Sequence, residues 1–444
     1  MGAAAWLTLA AAERPSVLSP PTLRGRHPWL LGPFSGALPH LATDPVRLHA
    51  DLTIALAVMG IGWVVAWAAA PALPLRVVAA AVGAAQVLMV LGPPQSLTDS
   101  FNYVFYGRMA SDGLNPYTHI PAQAPHDGAY VLANWHHLPS PYGPLFTLVS
   151  EPLAWVPLPV AYWAWKAVVL AGALGLLALV AWLARRLGRS PQRAVAAAGL
   201  CPVTLAVGVG GLHNDGPAML AVVGAAACVV AARDAERTGG GWNAAAGALA
   251  VVAGGLKPSF AIVVPLVVLG ASHRVWALAG AAWAGAGTVA VVVLVFGGAL
   301  PAVGLQSEIV TPISVPNLLG AALHHGGADA AVRQAGHAAL IVMIAVACAL
   351  VAWRRRLMLP ALGVILLAAA ITLSWVMPWY LAWSLPFAAV AVPRALVPAA
   401  VAACLWLGIG GIPQLPQLLH GAGYFPTRSA TGLANHDREI QLVK

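Results

Sequence analysis

Three groups of polar residues stand out in a chain that has few others able to do chemistry. Asp99 lies in Leu97-Thr98-Asp99-Ser100-Phe101-Asn102-Tyr103, just beyond the apolar run Val77 to Leu91. A carboxylate partly desolvated at a hydrocarbon border is suited to taking a proton from a hydroxyl, as a general base does. The same order of residues lets Thr98, Asp99 or Ser100 cap a short helix running to Tyr106. His213-Asn214-Asp215, followed by Gly216 and Pro217, gathers an imidazole, an amide and a carboxylate in one short turn. It can hold hydroxyl groups or a metal ion, or it can be a turn in which Asp215 caps a helix with an early proline. Lys257, before Pro258, is either a snorkelling lysine or a point charge that neutralises a phosphate leaving group.

Weaker candidates surround these. Arg108 and Lys166 are further cations for the same phosphate, although Lys166 falls inside an apolar run, where an unpaired charge is costly. Trp379 and Tyr380 read as interfacial anchors or as a platform for a sugar ring. Asn115, Tyr117 and Tyr142 belong to the polar segments Gly113-Leu114-Asn115-Pro116-Tyr117 and Ser140-Pro141-Tyr142-Gly143-Pro144. His136-His137 and His324-His325 are adjacent pairs without ligand spacing, so no metal site is expected. Asp112, Asp127, Glu151 and Asp329 read as solvated acids, with Glu308 a spare carboxylate.

These residues are set in a strongly apolar chain. Of 444 residues 60% are apolar and 8% charged, and mean hydropathy is +0.80. A soluble globule carries roughly a quarter charged residues, and disorder requires low hydrophobicity, so both are excluded. Apolar runs continue from Leu52 to Ile412 and leave no room for a separate soluble catalytic domain. The expectation is an all-α polytopic membrane protein with about twelve spans of roughly 20 residues. Leu52 to Ala70, Val77 to Leu91, Val160 to Leu183, Ala194 to Gly211, Val275 to Phe296, Ala338 to Trp353, Leu357 to Val376 and Ala395 to Ile412 carry this reading. Pro217 to Ala232, Trp242 to Leu256, Phe260 to Gly270 and Tyr380 to Val392 are shorter. Leu145 to Val156, bracketed by prolines, suits an interfacial half-helix. Ala3 to Ala12 is too short to span and has no basic region before it, so a cleaved signal peptide is not expected.

The net charge of +9 could suggest nucleic acid, but the cations are dispersed among short loops, as topology signals are. Arg76, Arg185, Arg186, Arg189, Arg193, Arg233, Arg237, Arg274, Arg354, Arg355, Arg356 and Arg394 fall in one alternate set, accompanied only by the acids Asp234 and Glu236. Placing that set inside puts Asp99, His213 to Asp215, Lys257 and Trp379 together outside; Arg24, Arg26 and Arg47 oppose it. The expected organisation is an ill-defined segment 1–50, one integral membrane unit 51–412 with a long outer loop 92–159, and a short outer tail 413–444. The cysteines Cys201, Cys228, Cys348 and Cys404 lie in apolar runs and read as small core residues. Gly208, Gly210 and Gly211 approach a nucleotide fingerprint's spacing, but no strand precedes them and helix packing explains them better.

Taken in order, Thr98-Asp99 with Phe101-Asn102-Tyr103, Gly113 to Tyr117, Ser140 to Pro144, Gly211-Leu212-His213-Asn214-Asp215, Lys257-Pro258 and Pro378-Trp379-Tyr380 form a pattern from Leu97 to Trp383. It resembles the actinobacterial polyprenyl-phosphate-sugar-dependent glycosyltransferases of the GT-C fold, in particular glycosyltransferase family 87 and the polyprenol-phosphomannose-dependent mannosyltransferases. The resemblance implies a GT-C-like bundle and an acidic base at the start of the first large outer loop, which falls on Asp99. It also implies a pocket lined by His213, Asn214, Asp215 and Lys257. The expected reaction is inverting transfer of a hexose, mannose as the first guess, from a polyprenyl-phosphate sugar to an extracytoplasmic glycan or glycolipid acceptor. The expected partners are that donor, that acceptor and the bilayer, with no nucleic acid and no cofactor. A transporter or flippase of lipid-linked sugars is the alternative, for which the expected repeats and mid-membrane broken helices are not visible. A non-catalytic scaffold would leave the clustering of carboxylate, imidazole and lysine unexplained.

Overall fold

The computed structural model describes residues 1–13, 18–23, 27–38, 44–234, 239–390 and 396–443. Arg24, Arg26, Glu236, Arg237, Arg394 and Lys444 lie outside the described residues. Among those described the chain forms helices and no strand, as its long apolar runs require when backbone groups must pair within each segment. The helices that matter here are α1 (Gly2–Ala11), α2 (Pro45–Ala69), α3 (Leu75–Leu91), α4 (Asp99–Ser111), α5 (Pro144–Ser150), α6 (Leu158–Arg186), α7 (Pro191–Gly199), α8 (Asp215–Asp234) and α9 (Gly239–Leu256). They continue with α10 (Val263–Gly270), α11 (Arg274–Leu294), α12 (Val315–Ala322), α13 (Ala330–Trp353), α14 (Met358–Thr372), α15 (Leu381–Val390), α16 (Leu396–Gly410), α17 (Leu415–Gly421) and α18 (Ala430–Val443).

The protein is an all-α polytopic membrane protein. Six described helices are long and apolar enough to cross a bilayer, or seven if α16 and α17, bent by 97°, form one span. Gly2–Ala11, Leu75–Leu91, Gly240–Leu256 and Pro258–Gly270 are apolar but shorter. The run Ala194 to Gly211 is divided between α7 and a π-helical turn, Thr204–Val209, and Tyr380 to Val392 becomes the ten-residue α15 with Pro386 inside it. Apolar composition reports burial, and a helix buried among other helices need not have the length to span. The contrast is visible in α8 and α13, whose most apolar windows are 61% and 11% buried. On α13 exposed Ile341 and Val342 face outward, as lipid-facing side chains do.

The loop 92–159 is folded rather than open. Its helix α4 is buried from Asp99 through Gly107, and α5 is followed by the turn Glu151–Trp155 with Val149 and Trp155 exposed, as an interfacial half-helix would be. The first helix α1 packs its Leu7 and Ala11 against α2 and α3. After Pro413 the tail continues as α17 and α18, and α18 returns to the loop 92–159 and to Glu308. There Arg438 Nε lies 2.8 Å from Glu308 Oε2, and the backbone N–H of His137 donates to the Leu442 carbonyl at 3.0 Å.

One helix orients all of this. Asp215 begins α8 and Arg233 ends it, so at 1.5 Å per residue the two lie about 27 Å apart, near a bilayer's hydrocarbon thickness. At the Arg233 end the guanidinium donates to the Arg355 carbonyl at 3.0 Å, and Arg274 donates to the Ala352 carbonyl at 3.0 Å. The arginines of three different turns therefore meet at one end of the bundle, and Asp215 stands at the other.

Candidate active site

Asp99 is the first residue of α4, after the N-cap Thr98, and no side-chain capping bond forms there. Its carboxylate serves the tertiary structure instead. Oδ1 accepts from the indole N–H of Trp135 at 3.1 Å, and Oδ2 lies 3.3 Å from His213 Nδ1, in ion-pair range but off the axis of a hydrogen bond. One turn further along α4, Tyr103 faces the same way; its hydroxyl accepts from the Asn214 backbone N–H at 3.3 Å, which leaves the phenolic hydrogen free for a ligand. Burial pushes the Tyr103 phenol well above its ordinary value, and the Asp99 charge adds to this; Tyr142 behaves in the same way. Both phenols therefore remain neutral donors throughout the physiological range.

The segment before His213 explains how a bulky polar triplet fits there. The π-helical turn Thr204–Val209 runs into Gly210 and Gly211, and Leu212 is left-handed at φ 59°. A left-handed leucine is strained and persists only where its surroundings hold it. Here Leu212 is fully buried and its carbonyl accepts from Trp165 Nε1 at 2.8 Å. Gly211 is required because a Cβ there would lie 2.0 Å from the Val207 carbonyl oxygen and 2.7 Å from the His213 ring. The turn presses the His213 ring against Trp379, stacked at 3.5 Å with an interplanar angle of 12°.

Asp215 opens α8, yet its carboxylate also works across the fold. Oδ1 lies 2.7 Å from Lys257 Nζ and accepts from Trp383 Nε1. Lys257 is held by the end of α9 and by Pro258, with its ammonium 5.0 Å from the Tyr380 ring centroid and 5.3 Å from that of Trp383. The result is a paired, partly desolvated cation that still has donors to offer. Tyr142 lines the same cavity as Lys257, and the Gly143 N–H beside it donates to the Leu256 carbonyl at 3.2 Å.

Asp99, Tyr103, Trp135, Tyr142, Asn214, Asp215, Lys257, Gln306, Trp379 and Tyr380 line one small cavity of about 20 Å³, with Leu97, Trp375 and Met377. Around it several buried polar atoms make no hydrogen bond within the protein: both ring nitrogens of His213, both side-chain atoms of Asn214, and Asp215 Oδ2. Buried polar groups are rarely left so, and such a cluster calls for bonds from a polar ligand or from ordered water. A second, apolar crevice adjoins it through Asp215 and Trp379 and runs along Val169, Ala173 and Leu176 of α6 toward Leu385 of α15.

Three expected site residues are not brought to this cavity. Arg108 pairs with Asp127 at 3.1 Å and donates to the Val156 carbonyl. Asn115 bridges the Phe296 carbonyl and the Tyr117 N–H, and the Tyr117 hydroxyl lies 2.8 Å from Thr147 Oγ1. All three hold the outer loop in shape; their polar character is spent on backbone and loop partners. Lys166 donates to the Gly92 carbonyl at 2.6 Å beneath the Trp163 ring, and Glu308 is taken by Arg438. The histidine pairs are likewise local, with His136 stacked on Tyr130 and His325 bonded to Asp329; no metal-binding cluster occurs among the described residues. Sequence reading did not single out Trp135, Tyr103, Gln306 or Trp383. Tyr103 was legible, four residues from Asp99 on one helix face; an indole donor arriving from a distant loop leaves no spacing to read.

A family model described as alpha-(1->6)-mannopyranosyltransferase, N-terminal domain, matches residues 3–273. The chain belongs to that family. Among curated proteins, alpha-(1->6)-mannopyranosyltransferase A of Corynebacterium glutamicum is 27% identical over 139 residues, covering 29% of this chain. The match spans about a quarter of that relative, 27% of its length. No solved structure matches. The family segment contains Asp99, Tyr103, Trp135, His213 to Asp215 and Lys257, whereas Gln306 and Trp375 to Tyr380 complete the same cavity from beyond it.

Proposed function

We propose that this protein is a membrane mannosyltransferase that moves mannose from a polyprenyl-phosphate carrier to a glycan or glycolipid acceptor, forming an α(1→6) linkage at the extracytoplasmic face. The observation that carries the reading is the small cavity in which a buried carboxylate, Asp99, shares the lining with Lys257 and with unsatisfied polar atoms of Asn214 and Asp215, His213 standing beside Asp99. Family membership supports the sugar and the linkage. The adjoining apolar crevice supports a lipid-borne donor, because a prenyl chain can enter it while its phosphate lies beside Lys257. Such a donor needs no nucleotide-binding domain, consistent with a chain that has no room for one.

In this mechanism Asp99 Oδ2 takes the proton of the acceptor hydroxyl as its oxygen attacks the anomeric carbon. The bond from that carbon to the carrier phosphate breaks, and the electron pair leaves with the phosphate. Lys257, already paired with Asp215, donates to the phosphate oxygen as charge develops there, where an ordered cation is worth most. A single displacement inverts the anomeric carbon, so an α product requires a β-linked donor. Tyr103 and Asn214 are placed to bond the sugar hydroxyls, and Trp379 covers them. At about 20 Å³ the cavity holds no pyranose, so binding requires lining side chains to move apart. The separation along α8 together with the tendency of arginines to remain on the cytoplasmic side supports an outer position for Asp215 and Asp99.

Detergent-purified protein given synthetic polyprenyl-phosphate mannose and an α-linked mannose oligosaccharide, with no nucleotide present, is expected to extend the oligosaccharide by one mannose. Asp99→Asn is expected to lower the rate by roughly 10²–10⁴, the usual contribution of a general base, with the protein still folded. Undiminished turnover in that variant would remove Asp99 from its role, and a strict requirement for a nucleotide sugar would overturn the donor assignment.

A further inference from the structure

The arginine-bearing end of the bundle has a feature that transfer chemistry at the opposite end does not use. Arg274, from the start of α11, and Arg354, Arg355 and Arg356, between α13 and α14, line one open basin of about 650 Å³ with Ala352 and Trp353. Two of these arginines fix its shape. Arg274 Nε donates to the Leu269 carbonyl at 3.2 Å and its Nη2 to the Ala352 carbonyl; Arg355 Nη1 donates to the Ser272 carbonyl at 2.8 Å. The other two are left for something else. Arg354 lies 4.1 Å above the Trp353 ring, and Arg356 has no protein partner among the described residues.

Among the described residues no carboxylate lines the basin. Four like charges in one concavity repel one another, and signalling topology requires only that cations be in the loops, not that two loops bring theirs together. The repulsion is relieved by an anion. The site lies where the bilayer-crossing helices α11 and α13 end, and Trp276 and Trp353 are exposed there, 55% and 71%, at the level where aromatic side chains meet lipid headgroups. We propose that this basin binds the phosphate of an anionic phospholipid headgroup from the leaflet opposite the active site. The planar guanidiniums of Arg354 and Arg356 supply the unused donors, and Trp353 sits beside the glycerol and upper acyl chain.

The test uses the full chain in detergent, mixed with equal amounts of phosphatidylglycerol and phosphatidylcholine, with retained lipid measured by native mass spectrometry. Phosphatidylglycerol is expected to be retained in preference. The double variant Arg354→Gln with Arg356→Gln is expected to lose that preference by roughly thirtyfold, about fivefold for each interfacial cation. Its melting midpoint should shift little, because neither guanidinium is hydrogen-bonded to the described residues and the Arg354 contact with the Trp353 ring is an exposed one. Arg76→Gln with Arg193→Gln removes two exposed cations outside the basin and is expected to retain the preference. Equal loss in both double variants, or equal retention of the two lipids, would overturn the proposal. Displacement of the lipid by inorganic phosphate alone would show that a free anion, not a headgroup, is the ligand.

Discussion

A carboxylate near a membrane border becomes useful only when its two oxygens are aimed. Asp99 is aimed by Trp135, whose indole N–H occupies Oδ1 and leaves Oδ2 toward His213 and the cavity. Trp135 touches neither sugar nor phosphate in the proposed mechanism, so it is a positioning residue. Trp135→Phe keeps the ring but removes the donor. A hydrogen bond to a charged group is worth about 1.5 kcal/mol at the lower end, or roughly tenfold in rate. The variant is therefore expected to lose about tenfold in kcat with little change in KM, measured as mannose transfer against donor concentration. A loss confined to KM would show that Trp135 lines the donor site rather than orienting the base. The sequence makes Asp99 legible as a candidate through its place after an apolar run. It cannot reveal Trp135, because the pair lies 36 positions apart in the chain and an indole has no motif.

Among the elements, the helices that place Lys257 depend on close contact. α9 and α11 approach until a Cβ on Gly280 would lie 1.9 Å from the Ala244 carbonyl oxygen, and one on Gly247 would lie 1.9 Å from that of Ala277. Small residues permit such an approach between membrane helices, where packing rather than water expulsion drives association. Gly280→Val is expected to destabilise the protein by about 1–3 kcal/mol through overpacking, read as a lower melting midpoint in detergent. Gly285→Val, with nothing within 4 Å, is the control expected to leave the midpoint unchanged. A melting midpoint equal to wild type for Gly280→Val would mean that the two helices can separate freely. Hydropathy identified α9 and α11 as apolar segments and already set the shorter run Trp242 to Leu256 apart from Val275 to Phe296, but it could not say that the two helices meet at Gly247 and Gly280.

The whole molecule separates two charges along one axis: Asp215 and Arg233 at the two ends of α8, with the other polar groups sorted accordingly. A cysteine-free background carrying Asp112→Cys or Arg189→Cys tests the orientation. An impermeant maleimide applied to intact cells is expected to label the first and not the second, both positions being exposed; the reverse pattern would put the cavity in the cytoplasm. The sequence by itself determined the class, because 60% apolar residues and 8% charged allow little but membrane helices. It also determined which residues are anomalous there, since a carboxylate, an imidazole or a lysine among apolar runs is costly unless something uses it. The tertiary structure alone decided which anomalies are spent on the fold, as with Arg108, Asn115, Tyr117 and Lys166, and which face a shared void. The reason is physical: a side chain's type fixes the bonds it can make, but only the packing of distant segments decides which of those bonds are already made.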